Sequence, residues 1–247
     1  MPTLNKAKGL YLKLLAIDTS TDACSAALWL DGEVRQRYQV APRDHGQLIL
    51  PMIEALLAEA GLTLAQLDTL AFGQGPGGFT GVRIANSVIQ GLAFGADLPV
   101  VPISSLAALA QGACAEMGVL AAIDARIGEV YWGAYRATEN GLVTLIDQEI
   151  VCAPEDVPLP LADDVDGWFG AGNGWHTYAQ PLKARLGEAV TAWDGQRYPQ
   201  AQHLAQLAAD AFQRGLAVSA EQALPVYLRN EVAWKKQPLL VITPPPK

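Results

Sequence analysis

Two short apolar runs constrain this chain more than any other feature: Leu14-Leu15-Ala16-Ile17-Asp18 and Leu120-Ala121-Ala122-Ile123-Asp124, each ending in an aspartate. Both have the length and apolar continuity of a buried strand, and both are followed by material that reads as an antiparallel hairpin. In the first copy, Cys24 to Leu30 and Glu33 to Val40 flank Asp31-Gly32, a pair suited to the positive φ angles of a two-residue turn. In the second, Glu129 to Ala137 and Leu142 to Val151 flank Asn140-Gly141. Self-similarity of this kind points to a duplicated unit, so the halves are expected to fold as two similar lobes, each opening with three strands.

After its three strands the first half offers a helix from Asp44 to Ala60, with Leu48, Ile49, Met52, Ile53, Leu56 and Leu57 at three- and four-residue spacings. Asp44 is placed to cap this helix and Gly61 to end it, while Pro51 predicts that the regular helix starts near it or kinks there. A strand from Leu67 to Phe72, a glycine-rich loop, a helix from Thr80 to Gly95 and a strand from Leu98 to Ile103 follow. A helix from Ser104 to Met117 links the halves. The second half repeats the alternation with strands at Trp168 to Ala171 and Ala189 to Trp193, and helices at Trp175 to Leu186 and Ala201 to Gly215. This order predicts an α/β fold of two duplicated mixed-sheet lobes, residues 1–103 and 104–224, with a tail over 225–247 that Pro244-Pro245-Pro246 marks as extended. The layout resembles the actin, sugar kinase and heat-shock ATPase (ASKHA) architecture, in which a nucleotide lies between lobes with a strand-ending aspartate from each.

Composition narrows the function classes. Of 247 residues, 51% are hydrophobic and 17% charged, which suits a buried core and excludes a disordered or fibrous chain. Cys24, Cys114 and Cys152 form neither a disulfide framework nor a zinc pattern. With no apolar run of about 18 residues and no secretory-type start, the expectation is a cytoplasmic protein without a membrane segment. The net charge of −8 is concentrated between Arg136 and Lys183, where no lysine or arginine occurs but Glu139, Asp147, Glu149, Glu155, Asp156, Asp163, Asp164 and Asp166 all fall. Such a surface repels phosphate and argues against strong independent nucleic-acid binding.

The most unusual stretch is Gly73-Gln74-Gly75-Pro76-Gly77-Gly78-Phe79-Thr80-Gly81-Val82-Arg83. It is formally G-x-G-x-x-G, but it follows a hairpin-helix-strand unit rather than a βαβ unit, and no Gly-Lys-Ser/Thr makes it a P-loop. Two readings stay open. Gly75, Gly77 and Gly78, with Arg83, form an anion site at a helix N-terminus, or they form a tight turn needed for close packing. Similarly, Asp18, Thr19 and Ser20 with Asp124 either surround a magnesium-bound phosphate or cap turns. Gly170 to Trp175 is a second glycine-rich junction, readable as an adenine contact or a simple turn. His45, His176 and His203 lack metal-ligand spacing, and no G-x-S-x-G occurs. The two apolar helices of the first half read either as core or as a face for a partner.

Several segments in fixed order resemble the TsaB family of bacterial tRNA threonylcarbamoyladenosine biosynthesis proteins, formerly YeaZ and grouped as glycoprotease-like. They are Leu15 to Ser20, Arg43-Asp44-His45 with Leu50-Pro51, Gly75 to Ile84, Ala122 to Arg126 with Gly128 to Tyr131, and Pro225-Val226-Tyr227-Leu228-Arg229. The resemblance implies a non-catalytic paralogue of the transferase TsaD. It implies pairing with TsaD through helices of the first lobe, cooperation with the ATPase TsaE, self-pairing when alone, and contact with tRNA only through the complex. No cofactor is implied as a requirement; ATP or ADP with magnesium at or near the partner joint is the one ligand suggested. Where the transferase carries a metal-binding histidine pair, this chain has Ser105 and Leu109. The contact residues expected from this resemblance are Leu48, Met52, Ile53, Leu56, Val82, Ile89 and Phe94. The rival readings are a phosphotransferase or ATPase using Asp18 and Asp124, and a peptidase, which lacks a nucleophile-base set.

Overall fold

The computed structural model describes residues 11–113, 118–158, 160 and 167–229. Expectations placed on Cys114, on Asp163, Asp164 and Asp166, and on the tail beyond Arg229 lie outside the described residues.

The first sheet is built as the apolar runs require. Strands β1 (Lys13–Asp18), β2 (Ala23–Leu30) and β3 (Glu33–Val40) pair antiparallel, with Asp31 and Gly32 at φ 53° and 94° making the two-residue turn. Helix α1 (His45–Ala60), strand β4 (Thr69–Gly73), helix α2 (Phe79–Ala96) and strand β5 (Val100–Ile103) follow. The strand order is β3-β2-β1-β4-β5, with β4 and β5 parallel to β1.

Two details of α1 differ from expectation. Asp44 makes no side-chain cap bond; only its carbonyl takes part, accepting the N–H groups of Gln47 and Leu48. The helix also runs through Pro51 from His45 onward. Proline at 51 cannot donate to the Gln47 carbonyl, and both residues lie on the exposed side of the helix. Gly61 ends the helix at φ 64°, as expected.

The second lobe starts with helix α3 (Ser105–Ala113) and strands β6 (Gly118–Arg126) and β7 (Glu129–Ala137). The single third strand expected over Leu142–Val151 is split into β8 (Val143–Leu145) and β9 (Ile150–Cys152), which pair with opposite ends of β7. Between them Glu149 turns away, and its carboxylate accepts the hydroxyls of Ser104 and Tyr135. Strand β10 (Trp168–Ala171), helix α4 (Asn173–Leu186), strand β11 (Val190–Asp194) and helix α5 (Ala201–Gln213) complete the order β11-β10-β6-β7-β8.

One helix of the second lobe serves the sheet of the first. Strand β1 is buried on both faces: Leu15 and Ile17 meet α1 and α2, whereas Leu14 and Ala16 need a second apolar layer. That layer comes from α5, whose Ala201, Leu204, Ala205 and Ala208 cover Leu14, Ala16, Ala71 and Val101. Helix α3 covers the second sheet instead, with Leu106, Leu109 and Ala110 against Val119, Ala121 and Ile123. Ala220 and Ala223 also join the core of α1 and α2. Limits drawn in sequence at residues 104 and 224 therefore do not follow the packing.

Leu204 is fully buried under the first sheet, so Leu204→Ala is expected to cost about 2–5 kcal/mol in urea unfolding. Amide exchange should rise first in β1 and β4; loss of protection first in β10 would contradict this packing.

Candidate functional site

The carboxyl end of β1 meets the glycine-rich loop in very close contact. Asp18 is fully buried; its Oδ1 accepts the N–H of Ser20 at 2.9 Å and the Ser20 hydroxyl at 2.8 Å, and its Oδ2 accepts the Ser105 hydroxyl at 3.1 Å. A Cβ on Gly73 would stand 1.9 Å from Oδ2, so only glycine fits beside the carboxylate. Gly77 and Gly81 admit the main chain of the next turn: a Cβ would lie 2.3 Å from the Ser20 carbonyl in one case and 1.9 Å from the Thr19 carbonyl in the other. Gly78 donates its N–H to the Ser20 carbonyl at 2.7 Å, and the Thr19 hydroxyl donates to the Gly81 carbonyl at 2.7 Å. Gly75, at φ 100°, is closed from the other side by the Val226 carbonyl.

The close-packing reading of this loop has direct support: a Cβ on Gly75 or Gly77 would meet protein, and the N–H of Gly78 is paired with the Ser20 carbonyl. Arg83 is occupied as well, lying 3.6 Å over the Phe79 ring while its Nε donates to the Tyr227 hydroxyl at 3.0 Å.

Burial pushes the Asp18 carboxyl above the usual carboxylate range, with hydrogen bonds from Ser20 and Ser105 and the nearby His45 only partly offsetting it. Burial likewise pushes the thiols of Cys24 and Cys152 up to about 11, which leaves them protonated and poor nucleophiles at neutral pH.

Asp124 occupies the equivalent place in the second lobe but is held differently. It accepts the Arg126 N–H at 2.8 Å, the Arg126 guanidinium at 3.0 Å and the Tyr178 hydroxyl at 3.4 Å. Each aspartate is thus bound to donors of its own neighbourhood, as a turn-capping carboxylate is. Among the described residues no group of three His, Cys, Asp or Glu side chains is placed to hold a metal. Ser105 and Leu109 are both buried. The second glycine junction is filled too: Trp175 is fully buried, its indole donates to the Leu120 carbonyl at 2.8 Å, and a Cβ on Gly170 would lie 2.4 Å from its ring. A cavity of about 690 Å³ lies elsewhere, between Ser104, the Thr138–Thr144 hairpin and Arg214, and includes neither aspartate.

The expected contact residues divide sharply. Met52, Ile53, Leu56, Val82 and Ile89 belong to the core of the first lobe and Leu48 is half-buried against it, so these six do not present an outward apolar face. Helical spacing had marked the stripe that faces the sheet. Phe94 is the exception, at 68% exposed. The outward side of α2 carries Arg83, Ser87, Gly91, Phe94 and Gly95, all exposed. A Cβ on Gly91 or Gly95 would meet nothing within 4 Å, so no contact among the described residues explains two glycines in a helix interior. That signal was present in the sequence as small residues four apart, at Ser87, Gly91 and Gly95.

Two duplicated mixed-sheet lobes, each with an aspartate at the end of its central strand, define the class: the two-lobed α/β body of actin, sugar kinases and heat-shock ATPases. A family model described as TsaD, tRNA N6-adenosine threonylcarbamoyltransferase, matches residues 38–237. The tRNA threonylcarbamoyladenosine biosynthesis protein TsaB of Escherichia coli (strain K12) is 44% identical over 231 residues, covering 92% of this chain and 99% of that protein. TsaB of Haemophilus influenzae is 45% identical over 238 residues, covering 92% and 98%. The solved structure of YeaZ from Pseudomonas aeruginosa aligns with a TM-score of 0.81 at 49% identity, covering 88% of this chain and 100% of that one. The chain belongs to the TsaB family of tRNA threonylcarbamoyladenosine biosynthesis proteins. No helix among the described residues is long and apolar enough to cross a membrane.

Two glycines separate close packing from an open face. Gly81→Ala is expected to cost about 3 kcal/mol or more, because a carbonyl must move, whereas Gly91→Ala should stabilise the chain by about 0.5–1 kcal/mol in the same urea titration. Asp18 supplies a pH test. Its raised folded pKa means that stability is lost as pH rises through that value, and Asp18→Asn removes this loss. The variant should melt at or above the parent at pH 7, with the difference shrinking as pH falls through the carboxylate range and the parent takes up its proton.

Proposed function

We propose that this chain serves tRNA threonylcarbamoyladenosine biosynthesis as a non-catalytic scaffold that docks the transferase TsaD through the outward face of α2. The observation that carries this reading is the pairing of an exposed Phe94 with Gly91 and Gly95, whose open space lets another helix approach closely. Leu50 of α1 is a second exposed apolar residue of the same lobe. Support for a non-catalytic role comes from the carboxylates: Asp18 and Asp124 are engaged by their own neighbours, and the glycine-rich loop is filled by main chain.

On this reading TsaE joins the pair, tRNA is met through the complex, ATP or ADP with magnesium lodges at the partner joint if anywhere, and the lone chain pairs with itself by the same face. The setting is the cytoplasm.

The test is reconstitution of tRNA modification from purified TsaD, TsaE, tRNA and threonylcarbamoyl-AMP, with and without this chain. Modification should require the chain and survive Asp18→Asn. Phe94→Glu should weaken association with TsaD by about 2–4 kcal/mol, measured by calorimetry, because it places an unpaired charge where an aromatic ring is buried. ATP turnover by the chain alone, abolished by Asp18→Asn, would establish the enzyme reading instead.

A further inference from the structure

The segment Pro225-Val226-Tyr227-Leu228-Arg229 meets the outward side of α2 only at Arg83 and bonds to neither aspartate, yet it touches both lobes. After the short helical turn Ala220–Gln222, the Val226 N–H donates to the Gln74 carbonyl at 2.8 Å, and the Val226 carbonyl closes over Gly75. The Tyr227 ring lies 6.1 Å from that of Phe79, and its hydroxyl accepts Arg83 Nε at 3.0 Å. Two residues later the chain has reached the other lobe: the Arg229 guanidinium donates to the Ala125 carbonyl at 3.1 Å and pairs with the Glu129 carboxylate. Gln74 and Gly75 lie just past the carboxyl end of β4, and Ala125 and Glu129 flank the turn at the carboxyl end of β6. The crevice outside the carboxyl ends of strands is where open α/β sheets take their ligands, so the segment crosses that crevice.

Two further features give this crossing consequence. It is shallow, with Val226 at 37% and Tyr227 at 44% exposed, and among the described residues it is held by one backbone hydrogen bond, the ring and hydroxyl contacts of Tyr227, and the bonds of Arg229 to Ala125 and Glu129, a small set typical of units that open locally. The turn it grips is strained: Arg126, Ile127 and Gly128 all have positive φ, at 64°, 57° and 81°, and a β-branched residue is strongly disfavoured there. Asp124 holds that turn from within its own lobe, and Arg229 holds its two shoulders from the strap.

The geometry points to residues 225–229 as a strap that ties the lobes across the mouth of the crevice, the crevice opening when Arg229 leaves Ala125 and Glu129. Lobe-to-lobe geometry, and with it access to the aspartate ends of β1 and β6, is then set by a few contacts of the C-terminal segment as well as by the α3–α5 packing.

Hydrogen exchange followed by mass spectrometry, with small-angle scattering on the same samples, tests this on the full chain. Arg229→Gln should raise exchange at least tenfold in peptides covering both 74–79 and 124–131, leave α1 and α4 unchanged, and enlarge the radius of gyration. The charge-exchanged pair Arg229→Glu with Glu129→Arg should restore protection on both sides. Faster exchange confined to 225–229 with unchanged scattering would overturn the strap, as would general loss of protection in Arg229→Gln that the exchanged pair does not rescue.

Discussion

Burial of the Asp18 carboxylate against glycine is the contact on which the rest of the first lobe depends. A carboxyl group removed from water is tolerated only when its lone pairs are met, and Ser20 and Ser105 meet them here. Ser105 opens the helix that begins the second lobe, so satisfying Asp18 also fixes where the chain leaves the first sheet. Gly73, Gly77 and Gly81 then bring the loop before α2 down on the same turn, because a side chain at any of them would collide with Asp18, Ser20 or Thr19. A loop that looks made for a phosphate is in this way drawn into the structure of the lobe.

The duplication gives two sheets of the same plan, but the halves are not independent bodies. Parallel strands buried on both faces need two apolar layers, and the first half supplies only one of them for its own sheet. Helix α5 crosses over to serve the first sheet, while α3 stays on the second, and the two helices pack against each other. This crossing ties the two-lobed form to helix packing between the halves. On the outer side of α2, Gly91, Phe94 and Gly95 are exposed, and a Cβ at either glycine would meet nothing within 4 Å among the described residues.

Much of the fold was legible because it is written in local pattern. The apolar runs ending in Asp18 and Asp124, the Asp31-Gly32 turn and the Gly61 stop all appear where the residues place them. The split of β8 from β9 was not legible, since Glu149 leaves the sheet to reach Ser104 and Tyr135, one of them 45 residues away. The candidate site was legible only as a set of positions. Asp18 and Asp124 stand near the ends of their strands and Gly77 in the loop after β4, as read, but the groups they meet, among them Ser105, Ser20 and Arg126, come from the fold. Five of the expected contact residues are buried for a related reason: regular apolar spacing at Met52, Ile53, Leu56, Val82 and Ile89 reports the stripe of a helix that faces the core.

The amino-acid sequence by itself determined the strands and helices, the turns, the duplication and the family, because each follows from side-chain period, backbone freedom at glycine, or motifs read in order. Only the tertiary structure decided that α5 covers the first sheet, that main chain fills the space beside the loop glycines, that α2 turns Gly91 and Phe94 outward, and that Arg229 reaches across to Glu129. Those outcomes depend on which distant segment arrives to bury a surface or pair a charge, and burial is a property of the assembled chain.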